Sequence, residues 1–325
     1  MALTTVSVGE VPGQMPSTIC MPSRLLAALC DPTSAAFTSN PEGELADMAE
    51  ALMHRFEIRS ASGKRFRMVE LEAYVLGDEA TGHADPFAHA HAEQASPGQW
   101  YFHRASNAPN AKYKGGSFKG VDITFGRAGS VYAGMLLRGV IELGEANEHA
   151  APLVSGPCNV VHSLLDAAGV PSIVELVHAS GGNIGADGLA PATACPLLGI
   201  FPVEAELEPR FVPLAGPRIG LTLAKAAAHD GAMETYIARR YRWLAPFALG
   251  PKKVYAVLAC AMNGESAEDA AARTKVGLKT VARQLDAFAS GAADASATLA
   301  AVRGKGKMNV AQLCAMLGAA HALHG

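Results

Sequence analysis

The sequence is poor in aromatic residues and contains no long apolar run. Phe, Trp and Tyr make up only 6% of its 325 residues, whereas 50% are hydrophobic and 33 are glycine. A core of this composition must be filled mainly by small and branched aliphatic side chains. No apolar segment approaches the roughly 20 residues of a membrane-spanning helix, so we expect no membrane-bound part. The length allows one sizeable core and a smaller second unit.

Cysteine pairs and a charged leader are also missing. The six cysteines lie far apart and form no Cys-x-x-Cys pair, which argues against a disulfide framework and against a cysteine zinc site. Residues 1–23 contain one acidic residue but no Lys or Arg, so they lack the charged start of a secretion signal. We therefore expect an intracellular protein, nuclear or cytoplasmic, in a reducing compartment.

Charge is distributed unevenly along the chain, although the formal net charge is only −3. Residues 139–209 contain nine acidic residues and no Lys or Arg. Residues 100–138 contain six basic residues and one acidic one, and residues 210–250 contain six basic and two acidic ones. The two basic stretches could form one face that attracts nucleic acid, or they could be ordinary solvated surface.

Turn signals and composition divide the chain into three regions. Residues 1–41 form a poorly defined head rich in Pro, Ser, Thr and Gly. Residues 42–248 mix helix and strand signals, and residues 251–325 are alanine-rich and helical in pattern. We predict an α+β body followed by a small all-α C-terminal region.

The start of the body predicts a helix followed by two antiparallel strands. Leu45, Met48, Leu52 and Phe56 recur at helical spacing. The Gly-bearing turn at residues 60–64 then separates two strand-like segments, as in a hairpin.

The second of these strands carries the most informative pattern of the sequence. Period-two alternation places Glu70, Glu72 and Tyr74 on one face, which we expect to point to solvent or a cleft. The opposite face is apolar and predicted to face the core; it comprises Val69, Leu71, Ala73 and Val75.

The segment Val69-Glu70-Leu71-Glu72-Ala73-Tyr74, followed by His83, resembles the alkyladenine (3-methyladenine) DNA glycosylase family, in which the pattern is V-E-T-E-A-Y and then His. The resemblance covers roughly residues 42–245. It implies a mainly antiparallel, curved sheet with surrounding helices. Further matches follow in the same order: Pro97-Gly98, Trp100-Tyr101-Phe102, Val121-Asp122-Ile123-Thr124, Leu136-Leu137-Arg138, Ser155-Gly156-Pro157, Pro217-Arg218-Ile219-Gly220 and Tyr241-Arg242-Trp243.

The resemblance implies a hydrolytic N-glycosylase that releases an alkylated or deaminated purine from nucleic acid during base excision repair, without a cofactor or metal. Glu72 matches the general base that activates water, and Arg138 matches an arginine near that water and a phosphate. Tyr74 and His83 match groups that sandwich the flipped base, and Leu136 matches the base pocket. The matched turns that contain Gly156 and Gly220 are interpreted as backbone-shaping only. No lysine lies beside Glu72, which favours direct hydrolysis over a Schiff-base route.

Two pocket positions depart from the family pattern. His103 stands where the family has a tyrosine, and Asp122 stands where it has an asparagine that shapes base selection. An acceptor-only anion at Asp122 should favour an amino-bearing or cationic base and repel nearby phosphate.

The loop between these two positions is longer than in the family, and the family's wedging tyrosine has no aligned equivalent. Tyr113 or Phe118 is the candidate for the side chain that fills the vacated base stack, and a solvated hairpin is the alternative. The residues expected to contact nucleic acid are Arg104, Lys112, Tyr113, Lys114 and Lys119.

A histidine-rich segment follows the second strand. His83, Asp85, His89 and His91 have a spacing that can hold a metal. Since the implied chemistry needs no metal, we interpret these histidines as structural or base-stacking residues.

The C-terminal region contains a weak helix-turn-helix signal. Ser266 and Asp269 have capping-box spacing, and Leu278 opens a second helix. Lys275 stands where the turn often has glycine. The region is interpreted either as a DNA-binding unit or as a helical appendage that packs on the body or contacts a protein partner.

Three functions remain open from the sequence. The first is the N-glycosylase on single- or double-stranded DNA, or on RNA. The second is a catalytically inactive nucleic-acid-binding protein on the same scaffold. The third is a hydrolase of free nucleosides.

Overall fold

The computed structural model describes most of the chain from residue 29 onward. The described residues are 29–108, 110–144, 152–179, 197–203, 206–207, 210–229 and 231–325. Most of the predicted head therefore lies outside the described residues. The end of that segment forms a short helix, α1 (Ala35–Ser39), whose N-cap Ser34 accepts a hydrogen bond from a backbone N–H.

The helix predicted from apolar spacing is α2 (Pro41–Arg55). Its N-cap Asn40 accepts a backbone N–H, and proline occupies the first turn, where its missing N–H costs nothing. Leu45, Met48 and Leu52 are all fully buried, so the apolar side of α2 faces the core. The predicted helix is confirmed up to Arg55, whereas Phe56, the last residue of the predicted spacing, already has extended backbone.

Nine strands within the described residues form one antiparallel sheet. They are β1 (Phe56–Ser60), β2 (Arg65–Gly77), β3 (Trp100–Phe102), β4 (Val121–Thr124), β5 (Val131–Leu143), β6 (Leu153–Ser155), β7 (Leu198–Pro202), β8 (Leu214–Gly216) and β9 (Arg242–Leu244). The main order is β3-β4-β5-β2-β1-β7; β6 also pairs with β5, and β9 pairs with both β2 and β8. The predicted α+β class with an antiparallel sheet is confirmed, as is the β1–β2 pair.

The two longest strands, β2 and β5, pair along almost their whole length, but the register shifts around Glu70. Met68 pairs with Val140, Glu70 with Gly139 and Leu71 with Leu137, so the pairing skips one residue on each strand. Such bulges re-aim side chains and increase strand twist.

This irregularity corrects one expectation from the sequence. The skipped residue on β2 is Val69, which packs in a different hydrophobic cluster from Leu71, Ala73 and Val75. The strict alternation predicted from Val69 onward is therefore wrong at its first residue. The face with Glu70 and Tyr74 borders cavities rather than open solvent, which is the second of the two expected environments.

Helices surround the sheet and form the C-terminal region. The α-helices after β6 are α3 (Pro157–Ala168), α4 (Ile173–Ala179), α5 (Ala232–Ile237), α6 (Val254–Met262), α7 (Ala267–Thr274), α8 (Leu278–Ala293), α9 (Ala295–Val302) and α10 (Val310–His324), and single 3₁₀ turns span Ala92–Ala95, Gly116–Phe118 and Ala226–Ala228. Within the described residues no single helix is long and apolar enough to cross a membrane. Taken together, α3 and α4 have the length and apolar composition of a membrane span, but their axes are bent by 44° at the junction.

Two hydrophobic clusters join residues from both sides of residue 250. In one, Leu223 and Met233 pack with Leu317 of α10. In the other, Val69 of β2 packs with Val281 of α8. The C-terminal helices thus share buried apolar surface with the sheet, which holds them in place relative to it.

A pair of glycines allows α8 and α10 to pack with their backbones in contact. A Cβ at Gly291 would overlap the carbonyl oxygen of Ala315, and a Cβ at Gly318 would overlap that of Phe288. Both glycines are buried. The obstacles are backbone atoms, which cannot move aside as a flexible side chain can.

We expect Gly318→Ala to destabilise the protein by about 1–3 kcal/mol, because the added methyl group forces α8 and α10 apart. The matched control is Ser290→Ala on the exposed side of α8, which should change stability by less than about 0.5 kcal/mol. Urea unfolding followed by circular dichroism measures both. Equal stability of the two variants would contradict the close packing.

Candidate active site

The candidate site is built on the face of β2 that carries Glu70, Glu72 and Tyr74. Glu72 lies opposite Leu136 of β5 on one side and Arg242 of β9 on the other. All three strands are therefore needed to place the charged groups. Sequence spacing predicted the row on β2, and pairing brings the arginines to it.

The Glu72 carboxylate is completely buried and has three hydrogen-bond donors. Tyr74 Oη donates to Oε2 at 2.9 Å, and Arg138 Nη1 lies 3.3 Å from the same oxygen. The backbone N–H of Ile219 donates to Oε1 at 2.6 Å. Three donors from different parts of the chain therefore converge on this buried carboxylate.

Glu70 extends this arrangement into a network of alternating charge. Its Oε1 accepts from Arg138 Nε at 3.3 Å and from Arg242 Nε at 2.8 Å. Burial alone would lower the pKa of Arg138, but the Glu72 and Glu70 charges raise it, so its guanidinium stays charged. Arg138 is the residue of β5 that the register skips, and the bulge lets it reach both carboxylates.

Tyr74 serves as a permanent hydrogen-bond donor in this network. Burial, followed by the negative charge of Glu72, raises the pKa of its hydroxyl well above the usual value. The Arg218 guanidinium lies over its ring, 4.6 Å from the centroid. Tyr74 is thus held between a carboxylate partner and a cation.

Arg218 belongs to the candidate site, although the sequence pattern gave it no role there. It is fully buried, pairs with Asp85 through both terminal nitrogens at 2.5 and 3.2 Å, and donates to the carbonyl of Ala73 at 3.0 Å. The sequence interpretation treated its motif as a turn and assigned Asp85 to the histidine segment. One buried arginine and one buried aspartate, 133 residues apart, can pair only in the folded chain.

A small cavity of about 160 Å³ opens beside Tyr74. It is smaller than the roughly 300 Å³ of typical drug-sized ligand sites, so it fits a fragment such as a single base. Its lining combines aromatic, imidazole and carboxylate groups from Tyr74, Phe87, His89, Gln94, His103, Asp122 and Leu221.

Asp122 is the acceptor of this cavity. Its Oδ1 pairs with His103 Nε2 at 2.8 Å, and its Oδ2 accepts from the Gln94 amide at 3.1 Å. A Cβ on the neighbouring strand at Gly134 would lie 2.5 Å from Oδ2, so a larger residue there would displace the Asp122 side chain. The structure thus brings together the two predicted pocket residues that depart from the family pattern.

His89 is held as a neutral imidazole at the cavity wall. Lys114 Nζ can only donate, so it donates to Nε2 at 3.0 Å, and Nδ1–H is left to donate to the Tyr101 hydroxyl at 3.2 Å. Burial, with a smaller effect of the nearby His103, lowers the pKa of His89 to about 4.

Two other predicted pocket residues do not line this cavity. His83 is buried, with Nδ1 3.0 Å from the Val75 carbonyl and Nε2 2.8 Å from the Tyr241 hydroxyl. Leu136 is buried in β5 opposite Glu72. Among the described residues no group of three or more His, Cys, Asp or Glu is arranged to hold a metal ion.

Charged side chains of the long loop after β3 form contacts within the protein. Arg104 is buried, forms an ion pair with Glu93 and stacks on the Tyr113 ring at 4.3 Å. Lys119 Nζ lies 2.7 Å from an imidazole nitrogen of His162. Among the predicted nucleic-acid contacts, only Lys112 is exposed; Arg104 is buried and the other three are half-buried.

Phe118 differs from the other aromatic residue of this loop. Its side chain is 77% exposed, whereas Tyr113 is half-buried against the core. The preceding residue, Ser117, lines a second cavity next to the carboxylate network.

This second cavity, of about 270 Å³, forms a positively charged groove. Arg138, Arg242, Lys252 and Lys253 line it together with Glu70 and the first residues of α3. Arg242 is only 3% exposed, and its Nη1 has no hydrogen-bond partner within the described residues. Because Arg138 and Arg242 are paired with Glu70 and Glu72, Lys252 and Lys253 supply the net positive charge of the groove, which suits a phosphate.

Comparison with models of known protein families gives no match. An uncharacterised protein of Acanthamoeba polyphaga mimivirus is 34% identical over an alignment of 144 residues, which covers 40% of this chain and 60% of the viral protein. The chain therefore spans less than two thirds of the length of the relative it matches.

The histidine at the cavity wall predicts a pH-dependent stability. Because the folded pKa of His89 is about 4 and the ordinary value is 6.5, the unfolded chain binds more protons between these values. The free energy of unfolding should therefore fall as pH decreases from about 6.5 to 4, and His89→Gln should weaken this fall. Urea unfolding at several pH values measures it. The exposed His178→Gln is the control and should keep the wild-type slope; an unchanged slope in His89→Gln would contradict the prediction.

Proposed function

We propose that the protein is a hydrolytic N-glycosylase that releases a modified purine base from nucleic acid. The observation that carries this proposal is the Glu72 carboxylate, held by Arg138 and by Tyr74, which lines a cavity of single-base size. The resemblance in ordered sequence motifs supports the same activity.

Glu72 has the chemistry that such a reaction requires. As the bond between C1′ and the base nitrogen breaks, its electron pair leaves with the base and positive charge develops on the sugar. A carboxylate close to C1′ stabilises that charge and accepts a proton from the water whose oxygen bonds to C1′. Arg138 and the Ile219 N–H orient the carboxylate.

The segment around Gly220 controls access to this carboxylate. Ile219 contacts Glu72 and lines the groove, and Leu221 lines the base cavity. Since Glu72 has no exposed surface, the reacting sugar and water reach it only if this segment shifts. Gly220, at φ +85°, is in a conformation that other residues adopt at a cost.

Base selection follows from the charge of the cavity. Asp122 accepts hydrogen bonds and repels acceptors, so it favours a base that presents an amino group or carries a positive charge. His103 and Tyr74 supply flat surfaces for stacking. Alkylated adenine, which combines an amino group with a positive charge, suits this lining best.

Phe118 is suited to replace the base in the stack. Flipping a base out of a duplex leaves a gap that apolar side chains commonly fill. Phe118 is exposed and follows Ser117 at the rim of the groove, whereas Tyr113 is held by Arg104. Of the two wedge candidates, the structure favours Phe118.

We expect Glu72→Gln to reduce base release at least about 100-fold, because glutamine keeps the shape but cannot accept the proton. The assay incubates oligonucleotides carrying alkylated, deaminated or normal bases, single- and double-stranded, and identifies released bases by mass spectrometry. Binding of the same oligonucleotides by the variant should persist.

The control for this experiment is Glu142→Gln, which removes a half-exposed carboxylate on β5 and should leave base release unchanged. Base release by the wild type that persists in Glu72→Gln would refute the proposed mechanism. Free nucleosides in the same assay test the nucleoside-hydrolase alternative.

A second substitution tests base selection. Asp122→Asn replaces the anion by a neutral amide of the same shape, so preference for alkylated adenine over hypoxanthine should fall by about tenfold. Competition between two oligonucleotides, one with each base, measures the ratio directly. An unchanged ratio would show that Asp122 does not contact the base.

The second candidate function is a nucleic-acid reader without catalysis. The complete burial of Glu72, with donors on both oxygens, favours it. This candidate predicts salt-sensitive binding without release of any base.

A further inference from the structure

The helices α7 and α8 form a compact unit that the proposed active site does not use. They are joined by three residues, Lys275 to Gly277, and packed through fully buried Ala270 and Val281. α6 packs against both helices through the same cluster. Three helices around a small core, with a short turn between the last two, match the helix-turn-helix arrangement.

The turn has the backbone conformation that this motif needs. Lys275 has φ 54° and ψ 34°, in the left-handed region where glycine is usual. A non-glycine residue there is uncommon, and its amide bonds back to the Ala271 carbonyl to end α7. Lys275 therefore adopts the left-handed conformation that glycine usually provides at this position of the turn.

The N-terminal part of α8 is exposed and positively charged. Lys275, Lys279 and Arg283 are exposed, and Asp286 is the only exposed acid on α8 within the described residues. The first residue, Leu278, is 46% exposed without an apolar cover. Thr280 and Gln284, which follow Lys279 and Arg283 in the sequence, are half-buried.

The other side of α8 is fully occupied. α10 packs against it at the Gly291 and Gly318 contact, and Val281 inserts into the cluster shared with the sheet. Only the side with Lys279 and Arg283 therefore remains for a partner. Its first backbone N–H groups have no side-chain cap, which suits an anion such as a phosphate.

This surface is continuous with the groove beside the carboxylate network. Lys253 lines the groove, and its Nζ lies 3.5 Å from the Lys275 carbonyl oxygen. Lys252 lies next to it and is exposed. Positive charge therefore continues from Arg138 to the start of α8.

We propose that α7 and α8 form a helix-turn-helix that binds duplex DNA, with the start of α8 in the major groove. In this geometry the first residues of the second helix reach base edges, and the turn approaches the backbone. Arg283 and Lys279 supply donors, and Leu278 supplies an apolar contact of the kind made with a thymine methyl group. Because the charge is continuous, the same duplex extends toward the proposed active site.

The test uses the full-length chain with Lys279→Ala and Arg283→Ala combined. Binding to unmodified duplexes of about 10, 20 and 30 base pairs is measured by fluorescence anisotropy at several salt concentrations. We expect the affinity for the longer duplexes to fall about tenfold or more, and the salt slope to decrease by about two. Both residues are exposed, so thermal unfolding should be unchanged.

The control combines Lys305→Ala and Lys307→Ala, which removes the same charge from an exposed loop elsewhere. Duplex binding equal in the two double variants would overturn the proposal, as would a loss confined to single-stranded DNA or RNA.

This proposal partly rests on the proposed function, in which nucleic acid is the substrate. Measurement of base release distinguishes a failure of the proposed helix-turn-helix from a failure of the proposed glycosylase. Base release from single-stranded oligonucleotides does not require α8. Duplex binding lost in the α8 variant without base release by the wild type would sustain this proposal and refute the glycosylase. Base release with unaltered duplex binding would do the reverse.

Discussion

Four buried charges link the three strands at the centre of the sheet. Glu70 and Glu72 on β2 alternate with Arg138 on β5 and Arg242 on β9, so each charge faces at least one of opposite sign. A buried ion is costly unless it is paired and hydrogen-bonded, so removing one member leaves its partner uncompensated. The backbone bulge at Val69 and Arg138 allows the Arg138 side chain to reach both carboxylates. The sheet irregularity and the candidate site are therefore one feature.

The network of buried charges lies between two openings that differ in size and in charge. On one side the cavity beside Tyr74 is small and lined by rings and Asp122; on the other the groove is larger and positively charged. Such a division suits a ligand with a flat polar part and an anionic part, as a nucleotide has. The segment at Ile219 lies between the openings and covers Glu72. Access to the carboxylate thus depends on the backbone of that segment.

The C-terminal helices are held firmly enough for their surface charges to have a defined position relative to the groove. Leu317 and Val281 contribute to clusters that include residues of the body. The contact of Gly291 and Gly318 brings α8 and α10 together at backbone distance. Rigid placement matters because a charged surface contributes to one interface only if it stays aligned with the rest of it.

Local sequence patterns determined the elements that depend on near neighbours. Apolar spacing predicted α2, alternation predicted the strand with Glu72 and Tyr74, and Ser266 and Leu278 marked where α7 and α8 begin. Each signal arises within a few residues, where side-chain periodicity and capping act.

Tertiary structure alone decided which distant groups meet. The pairing of Arg218 with Asp85 joins residues 133 positions apart, and neither has a local signal of its partner. The bulge that places Val69 in a different hydrophobic cluster from Leu71, Ala73 and Val75 depends on pairing with β5 and β9, which alternation within one strand cannot show. The position of His83 outside the cavity is likewise set by Tyr241, 158 residues away. A buried charge needs a partner of opposite sign. The contacts of such a residue are therefore decided by long-range pairing and burial, and not by the local sequence pattern.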